Sequence, residues 1–322
     1  MTRIPRHPHE ATERTRPSVA IAAATSALAR AGVGPARTEA ELLLAYVLGV
    51  SRGALAVAGP LTGEQRDRLA ELVERRTRHE PLQHLLGSAA FRYLELAVGP
   101  GVFVPRPETE LLAGWGIEQA RRVGAAGTAA GRSPDRSGAD PAGGGPLVVD
   151  LCSGSGAIAL SVAEEVPEAR VVAVERSAAA LDWLRRNAAE RAVAGDRPIE
   201  VVAGDVADPE LLAGYAGRVD VLLCNPPYVP DGTPVPPDVA GHDPAEAVFG
   251  GPDGLAVIRL VLDRAARLLR PGGAVGVEHD DTHGTAVPDL LRAHGRFVEI
   301  ADHPDLVGRP RFATARRADA RR

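Results

Sequence analysis

From residue 147 onward the chain alternates short apolar runs with helical stretches, and nothing else in the sequence constrains the fold as much. Leu147-Val148-Val149-Asp150-Leu151 is apolar but for Asp150 and reads as a strand of the kind buried on both faces of a sheet. A helix is expected over 157–165, then strands at 170–175, 199–202, 219–224 and 274–278. A second helix falls over 178–194. Leu255, Ile258, Leu262, Ala265 and Leu269 recur at spacings of 3 and 4, which marks one face of a third helix, and Pro271-Gly272-Gly273 stops it. Two further short strands are expected around 297–300 and 312–315. The expected fold is α/β: a seven-stranded, mostly parallel, doubly wound Rossmann-like sheet with ligands at the C-terminal ends of its strands.

The first 146 residues read differently. Residues 1–17, rich in Arg, His and Pro, are expected to form a disordered arm. Residues 18–84 have a helical pattern and make a small domain. Within it, Thr38 and Glu41 have capping-box spacing, and Thr62 and Glu64 start another helix. Its charged residues are read as a solvated face. Residues 85–110 change to aromatic and β-branched residues around Gly99-Pro100-Gly101 and are expected to be a hairpin linker. A domain over 111–322 follows. Between Val123 and Pro146, 16 of 24 residues are Gly, Ala or Pro, which points to a flexible surface insertion.

Composition removes whole classes of function. All 37 basic residues are Arg, so a Schiff-base, Walker-type or kinase-type lysine is excluded. A net charge of −5 argues against a broadly basic nucleic-acid binder. Cys152 and Cys224 lie too far apart for a CxxC or a zinc spacing, so no metal and no disulfide scaffold is expected. Residues 1–18 have no apolar core of signal-peptide type, and Leu42–Val50 is too short to span a bilayer. The expected compartment is the cytoplasm, with no membrane partner.

The first strand runs into Asp150-Leu151-Cys152-Ser153-Gly154-Ser155-Gly156. A glycine-rich turn between strand and helix lets a ligand approach the backbone closely. Glu175 closes the second strand, where an acid can accept from ribose hydroxyls. Asp205-Val206 follows the third, where such folds hold an adenine. An adenosine-containing ligand is expected, and the turn alone does not separate NAD from S-adenosylmethionine.

The fourth strand ends in Asn225-Pro226-Pro227-Tyr228. Neither proline has an N–H, so the loop offers acceptors with few competing donors. The Asn225 side-chain oxygen and the Pro226 carbonyl can both accept from one planar NH₂ group, with Tyr228 on its π-face. That suits an amide or aromatic amine, whose nitrogen is a poor nucleophile and must be held in line with an electrophilic methyl group. The sulfonium of S-adenosylmethionine supplies such a methyl and leaves S-adenosylhomocysteine.

At these residues the chain resembles the protein-(glutamine-N5) methyltransferases of the PrmC/HemK type. The resemblance extends to Pro81–Gly87, Val104–Glu110, Asp243–Ala247, Gly250–Leu255, Asp305–Gly308 and Arg311. It implies that the C-terminal domain depends on S-adenosylmethionine and methylates the glutamine of the Gly-Gly-Gln motif in class I peptide chain release factors. It also implies residue roles. Asp150 and Cys152, Ser153, Gly154, Ser155 and Gly156 would wrap the cofactor, with Glu175 at the ribose, Asp205 and Val206 at the adenine, and Asn225 bordering it. Asn225, Pro226 and Tyr228 would be catalytic, and Pro227 and Arg106 would join them in binding substrate. The helical domain would help hold the release factor.

Cys152 stands where the family has Gly, and Glu175 where Asp is commoner. Glu278-His279-Asp280 and His283 depart from the family's Glu-x-Gly-x-x-Gln pattern, so that loop is assigned no role; His84 and His279 are read as structural. The rival reading is an adenine exocyclic-amine methyltransferase acting on nucleic acid, which the acidic charge and small extra domain count against. An NAD-dependent oxidoreductase leaves Asn225–Tyr228 unexplained, and a non-catalytic scaffold leaves the reactive loop without a purpose.

Overall fold

The computed structural model describes residues 15–129 and 144–319. The chain divides into two compact units, Met1–Leu86 and Gly87–Arg322.

The first unit is helical: α1 (Pro17–Arg30), α2 (Ala36–Leu48), α3 (Gly63–Thr77) and α4 (Leu82–Leu86). Leu28, Leu43, Leu44 and Leu72 are fully buried at its centre. Three expectations need correction. Thr38 does not cap α2; Pro35 precedes the helix, and Glu41 binds Arg37 and Arg52 instead. The capping box is at α3, where Gln65 N donates to Thr62 Oγ1 at 3.2 Å and Thr62 N donates to Gln65 Oε1 at 2.9 Å. The charges are not all solvated either. Glu39 and Arg76 are buried and form a two-pronged ion pair at 2.6 and 3.2 Å. The last residues of the predicted arm are also structured: Thr15 bridges to Leu61 and Pro17 opens α1, with its fixed φ suited to a helix start. Residues 1–14 lie outside the described residues.

The second unit begins with an antiparallel hairpin, β1 (Ser88–Phe91) and β2 (Leu94–Ala97), followed by α5 (Thr109–Ala129). The insertion predicted over 123–146 is thus helical as far as Ala129. Ala125, Ala126 and Ala129 favour the helix, and Gly124 and Gly127 oppose it by about 1 kcal/mol each. Residues 130–143 lie outside the described residues.

The main sheet then builds as β3 (Leu147–Leu151), α6 (Ala157–Glu165), β4 (Arg170–Glu175), α7 (Ala178–Ala194), β5 (Glu200–Ala203) and β6 (Val219–Cys224). Two short helices, α8 (Pro237–His242) and α9 (Ala245–Val248), precede α10 (Ala256–Leu268), β7 (Leu269–Glu278), α11 (Ala286–His294), β8 (Phe297–Pro304) and β9 (Pro310–Arg317). The seven strands lie in the order β5-β4-β3-β6-β7-β9-β8, parallel from β5 to β7 and antiparallel at β9 and β8. Val148 and Val149 are both fully buried, on opposite faces: Val148 packs with α5 and α6, Val149 with α10. The chain runs outward from β3 to β5 and returns to β6 on the other side. This reversal opens a crevice above the C-terminal ends of β3 and β6.

Candidate active site

β3 ends in a turn that reverses tightly. Cys152 at φ 57° and Gly154 at φ 55° both lie in the left-handed region. A non-glycine residue there is strained by roughly 1–2 kcal/mol, so the departure from Gly at 152 loads the turn. Gly156, at φ 90°, has a second constraint: a Cβ there would come within 2.6 Å of the Leu184 side chain. Asp150 beneath the turn is fully buried, and its Oδ2 accepts from Ala159 N at 3.2 Å. Burial pushes its carboxyl up to about 7 against the pull of Ser153 and Ala159. Asn187 of α7 fastens the other side, donating to the carbonyls of Ser155 at 2.9 Å and Ala97 at 3.0 Å.

Glu175 reaches back from the end of β4. Its Oε2 accepts from Gly154 N at 2.9 Å, and its Oε1 from the backbone N–H groups of Arg176 and Ser177 at 2.8 Å. A carboxylate has about four acceptor directions. Three are taken, so Glu175 braces the turn and keeps about one direction for a ligand. After β5, Asp205 Oδ1 accepts from Ala207 N at 2.8 Å, and Val206 is buried.

β6 delivers Asn225 beside this turn. Asn225 Nδ2 donates to Thr109 Oγ1 at 3.1 Å, which aims Oδ1 away from Thr109. Tyr228 OH donates to Glu278 Oε1 at 3.0 Å. Burial and the Glu278 charge push the Tyr228 phenol far above its ordinary range, so it stays a donor. Cys224, just before the loop, is buried and its thiol is pushed up, so it stays protonated. Arg106 binds Asp243 at 2.8 Å and lies over the Phe103 ring at 4.8 Å.

These residues border one cavity of about 550 Å³. Cys152, Ser153, Gly154, Ser155, Glu175, Asp205, Val206, Asn225, Pro226, Pro227, Tyr228 and Arg106 all line it. Asp150 and Gly156 do not; they support the turn from below. Six carboxylate side chains and three guanidinium groups border the cavity, which favours a cationic ligand over an anionic one.

Sequence reasoning missed part of the wall. Glu278 was assigned no role because its neighbours break the family pattern, yet it lies in the cavity, as does Arg311. Burial lifts the Glu278 carboxyl to about 7, with Thr109, Tyr228 and Arg311 pulling the other way. The two histidines of that segment turn elsewhere. His279 Nε2 meets Asp302 at 2.8 Å, and His283 is buried. The remaining signal was the β6–β7 alternation itself, which places the last residue of β7 next to the loop after β6.

Comparison with known proteins gives the family of the chain. Residues 143–238 match the family described as "Methyltransferase small domain", and residues 20–87 match "PrmC N-terminal domain". The release factor glutamine methyltransferase of Mycolicibacterium smegmatis is 46% identical over 303 residues, covering 94% of this chain and 98% of that protein. The protein of that name from Streptomyces coelicolor is 47% identical, covering 92% and 97%. A 4-amino-L-phenylalanine/4-methylamino-L-phenylalanine methyltransferase of Streptomyces pristinaespiralis is 37% identical, covering 88% and 90%. The matched domain and relatives are those of a methyltransferase. Within that class, the chain belongs to the release factor glutamine methyltransferase family.

Proposed function

We propose that this protein transfers a methyl group from S-adenosylmethionine to the side-chain amide nitrogen of the glutamine in the Gly-Gly-Gln motif of class I peptide chain release factors, in the cytoplasm. The observation that carries this reading is the orientation of Asn225. Its Nδ2 is engaged by Thr109, so the atom left for a ligand is an acceptor, at the strand end beside the glycine turn. A carboxamide NH₂ is the complementary donor.

The residues fit the methyl donor. The glycine turn leaves open space at Gly154, Glu175 presents a carboxylate at the cavity wall, and acidic side chains outnumber basic ones there. Ser153–Ser155 would hold its methionine part, Glu175 a ribose hydroxyl, and Asp205 and Val206 the adenine edge. When bound, the cofactor supplies an electrophilic methyl on a positively charged sulfur. The chain's own task is to hold the nitrogen. Asn225 Oδ1 and the Pro226 carbonyl accept its two hydrogens, which aims the nitrogen and stabilises the positive charge that grows on it. Tyr228 packs against the amide plane, and Arg106, anchored by Asp243, steadies the substrate at the mouth.

The arylamine in the name of the Streptomyces pristinaespiralis relative fits the same logic, since its nitrogen lone pair is also delocalised. No helix among the described residues is long and apolar enough to cross a membrane.

The test is incubation with labelled S-adenosylmethionine and, in separate arms, a release factor, the same factor with its motif Gln→Ala, and unmethylated DNA. Label on the unaltered factor alone is expected. Label on DNA and not on the factor rejects the reading.

A further inference from the structure

The register of the sheet sets chemistry-bearing residues side by side. Leu151 pairs with Cys224, and Cys224 with Val277. The next residues on β3, β6 and β7 are Cys152, Asn225 and Glu278, a row across the floor of the cavity. Glu278 is therefore the strand-end neighbour of the residue that grips the substrate amide, and it borders the cavity at 1% exposure. Its Oε1 is held by the Tyr228 hydroxyl at 3.0 Å, while its Oε2 is buried without a partner. A buried acceptor left unpaired needs a reason, and the holding of Asn225, Pro226 and Tyr228 gives none.

The proposed reaction supplies one. An amide nitrogen that takes a methyl group must release a proton, and neither Asn225 nor a proline carbonyl is basic enough to keep it. We propose that Glu278 receives the proton that the substrate's amide nitrogen gives up on methylation, an inference that rests on the function proposed above. The nitrogen forms its bond to the methyl carbon, and the carbon–sulfur bond breaks with its electron pair retained on sulfur. The N–H proton passes to Glu278 Oε2, which later yields it to water. The sulfonium charge and the carboxylate charge disappear together, so the step leaves no new charge in the cavity.

The surroundings suit the role. From β9, Arg311 favours the carboxylate. From the segment before α5 and its first residue, Glu108 opposes the carboxylate and the Thr109 hydroxyl favours it. From the loop after β6, the Tyr228 hydroxyl favours it, and burial opposes it. His279, its neighbour in sequence, faces Asp302 and the Asp280 carbonyl instead. The balance leaves the carboxyl near 7, where a base is effective at neutral pH.

The test uses the full chain and Glu278→Gln, which keeps the size of the side chain and an acceptor for Tyr228. Single-turnover transfer to the release factor by the unaltered protein is expected to rise with pH through about 7 and level off. Glu278→Gln is expected to be slower by about 10²–10³-fold and to lack that limb, while Glu278→Asp keeps the limb at an intermediate rate. Calorimetric affinity for S-adenosylmethionine should stay within threefold. Infrared difference titration of the ligand-free protein should show two carboxyl groups near pH 7, of which Glu278→Gln removes one and leaves that of Asp150. A Glu278→Gln rate within twofold on an unchanged profile overturns the inference alone, as does parallel loss of donor affinity. Should Glu278→Gln fail to fold, a folded Glu278→Asp without the limb overturns it. No transfer to the release factor by the unaltered protein overturns the inference and the function together.

Discussion

Asn225 and Thr109 are 116 residues apart in sequence, and the 3.1 Å bond between them fixes which end of the Asn225 amide faces the cavity. A single hydroxyl at the first turn of α5 thereby sets the polarity of the loop after β6.

Thr109→Val keeps the shape and removes the hydroxyl. The Asn225 amide then loses its anchor, and turnover should fall about tenfold, roughly the worth of 1.4 kcal/mol. Donor affinity by calorimetry should hold. An unchanged kcat would show that Asn225 is oriented by something else.

Asn225→Ala removes the acceptor itself. Loss of one preorganised hydrogen-bonding group costs about 10²–10³ in kcat, and calorimetry should show little change in cofactor binding. Equal loss of both would make Asn225 chiefly a cofactor ligand.

Glu175→Gln puts an NH₂ where one of the turn's N–H donors needs an acceptor. Affinity for S-adenosylmethionine is expected to fall by about 10–100-fold, or roughly 1.4–2.8 kcal/mol, with a smaller effect on turnover at saturation. An affinity within threefold of the unaltered protein would remove Glu175 from the donor site.

Asp150 gives a pH dependence of stability. Its carboxyl titrates at about 7 when folded, against an ordinary value of 3.8. The folded state holds the proton more tightly, so ionisation destabilises the fold. This penalty is absent below about pH 4, grows as pH rises, and is complete above about pH 7. Asp150→Asn should flatten that part of a curve of denaturation midpoint against pH. An identical slope in the variant would assign it to another group.

Arg76→Leu strands the buried Glu39 carboxylate in the helical unit. Breaking a buried pair this way costs about 3–5 kcal/mol. Melting of that unit, followed by circular dichroism, should move down sharply, and adding Glu39→Leu should restore part of the loss. A surface pair would show neither effect.

Much of the sheet was legible because its central strands are buried on both faces and read as apolar runs broken by one acid each, Asp150 in Leu147–Leu151 and Asp220 in Val219–Cys224. The loop after β6 was legible because consecutive prolines after a strand are unusual. Features that depend on distant partners were not. Thr109 reads as an ordinary helix-start residue until Asn225 is beside it. Glu278 reads as one acid among several until register sets it next to Asn225. Glu39 and Arg76 look like solvent charges because sequence alone does not show that their helices meet. Helix α5 reaches into the segment read as an insertion, where Ala125, Ala126 and Ala129 favour a helix without giving it an amphipathic pattern.

The row along the strand ends separates two duties in space. Glu175 on β4 and Glu278 on β7 are three strand spacings apart, about 14 Å at ~4.8 Å per strand. On the function proposed above, Glu175 would serve the donor and Glu278 the proton released by the acceptor, with Asn225 between them. Exchange of the loops over β7 and β9 should therefore leave affinity for S-adenosylmethionine unchanged.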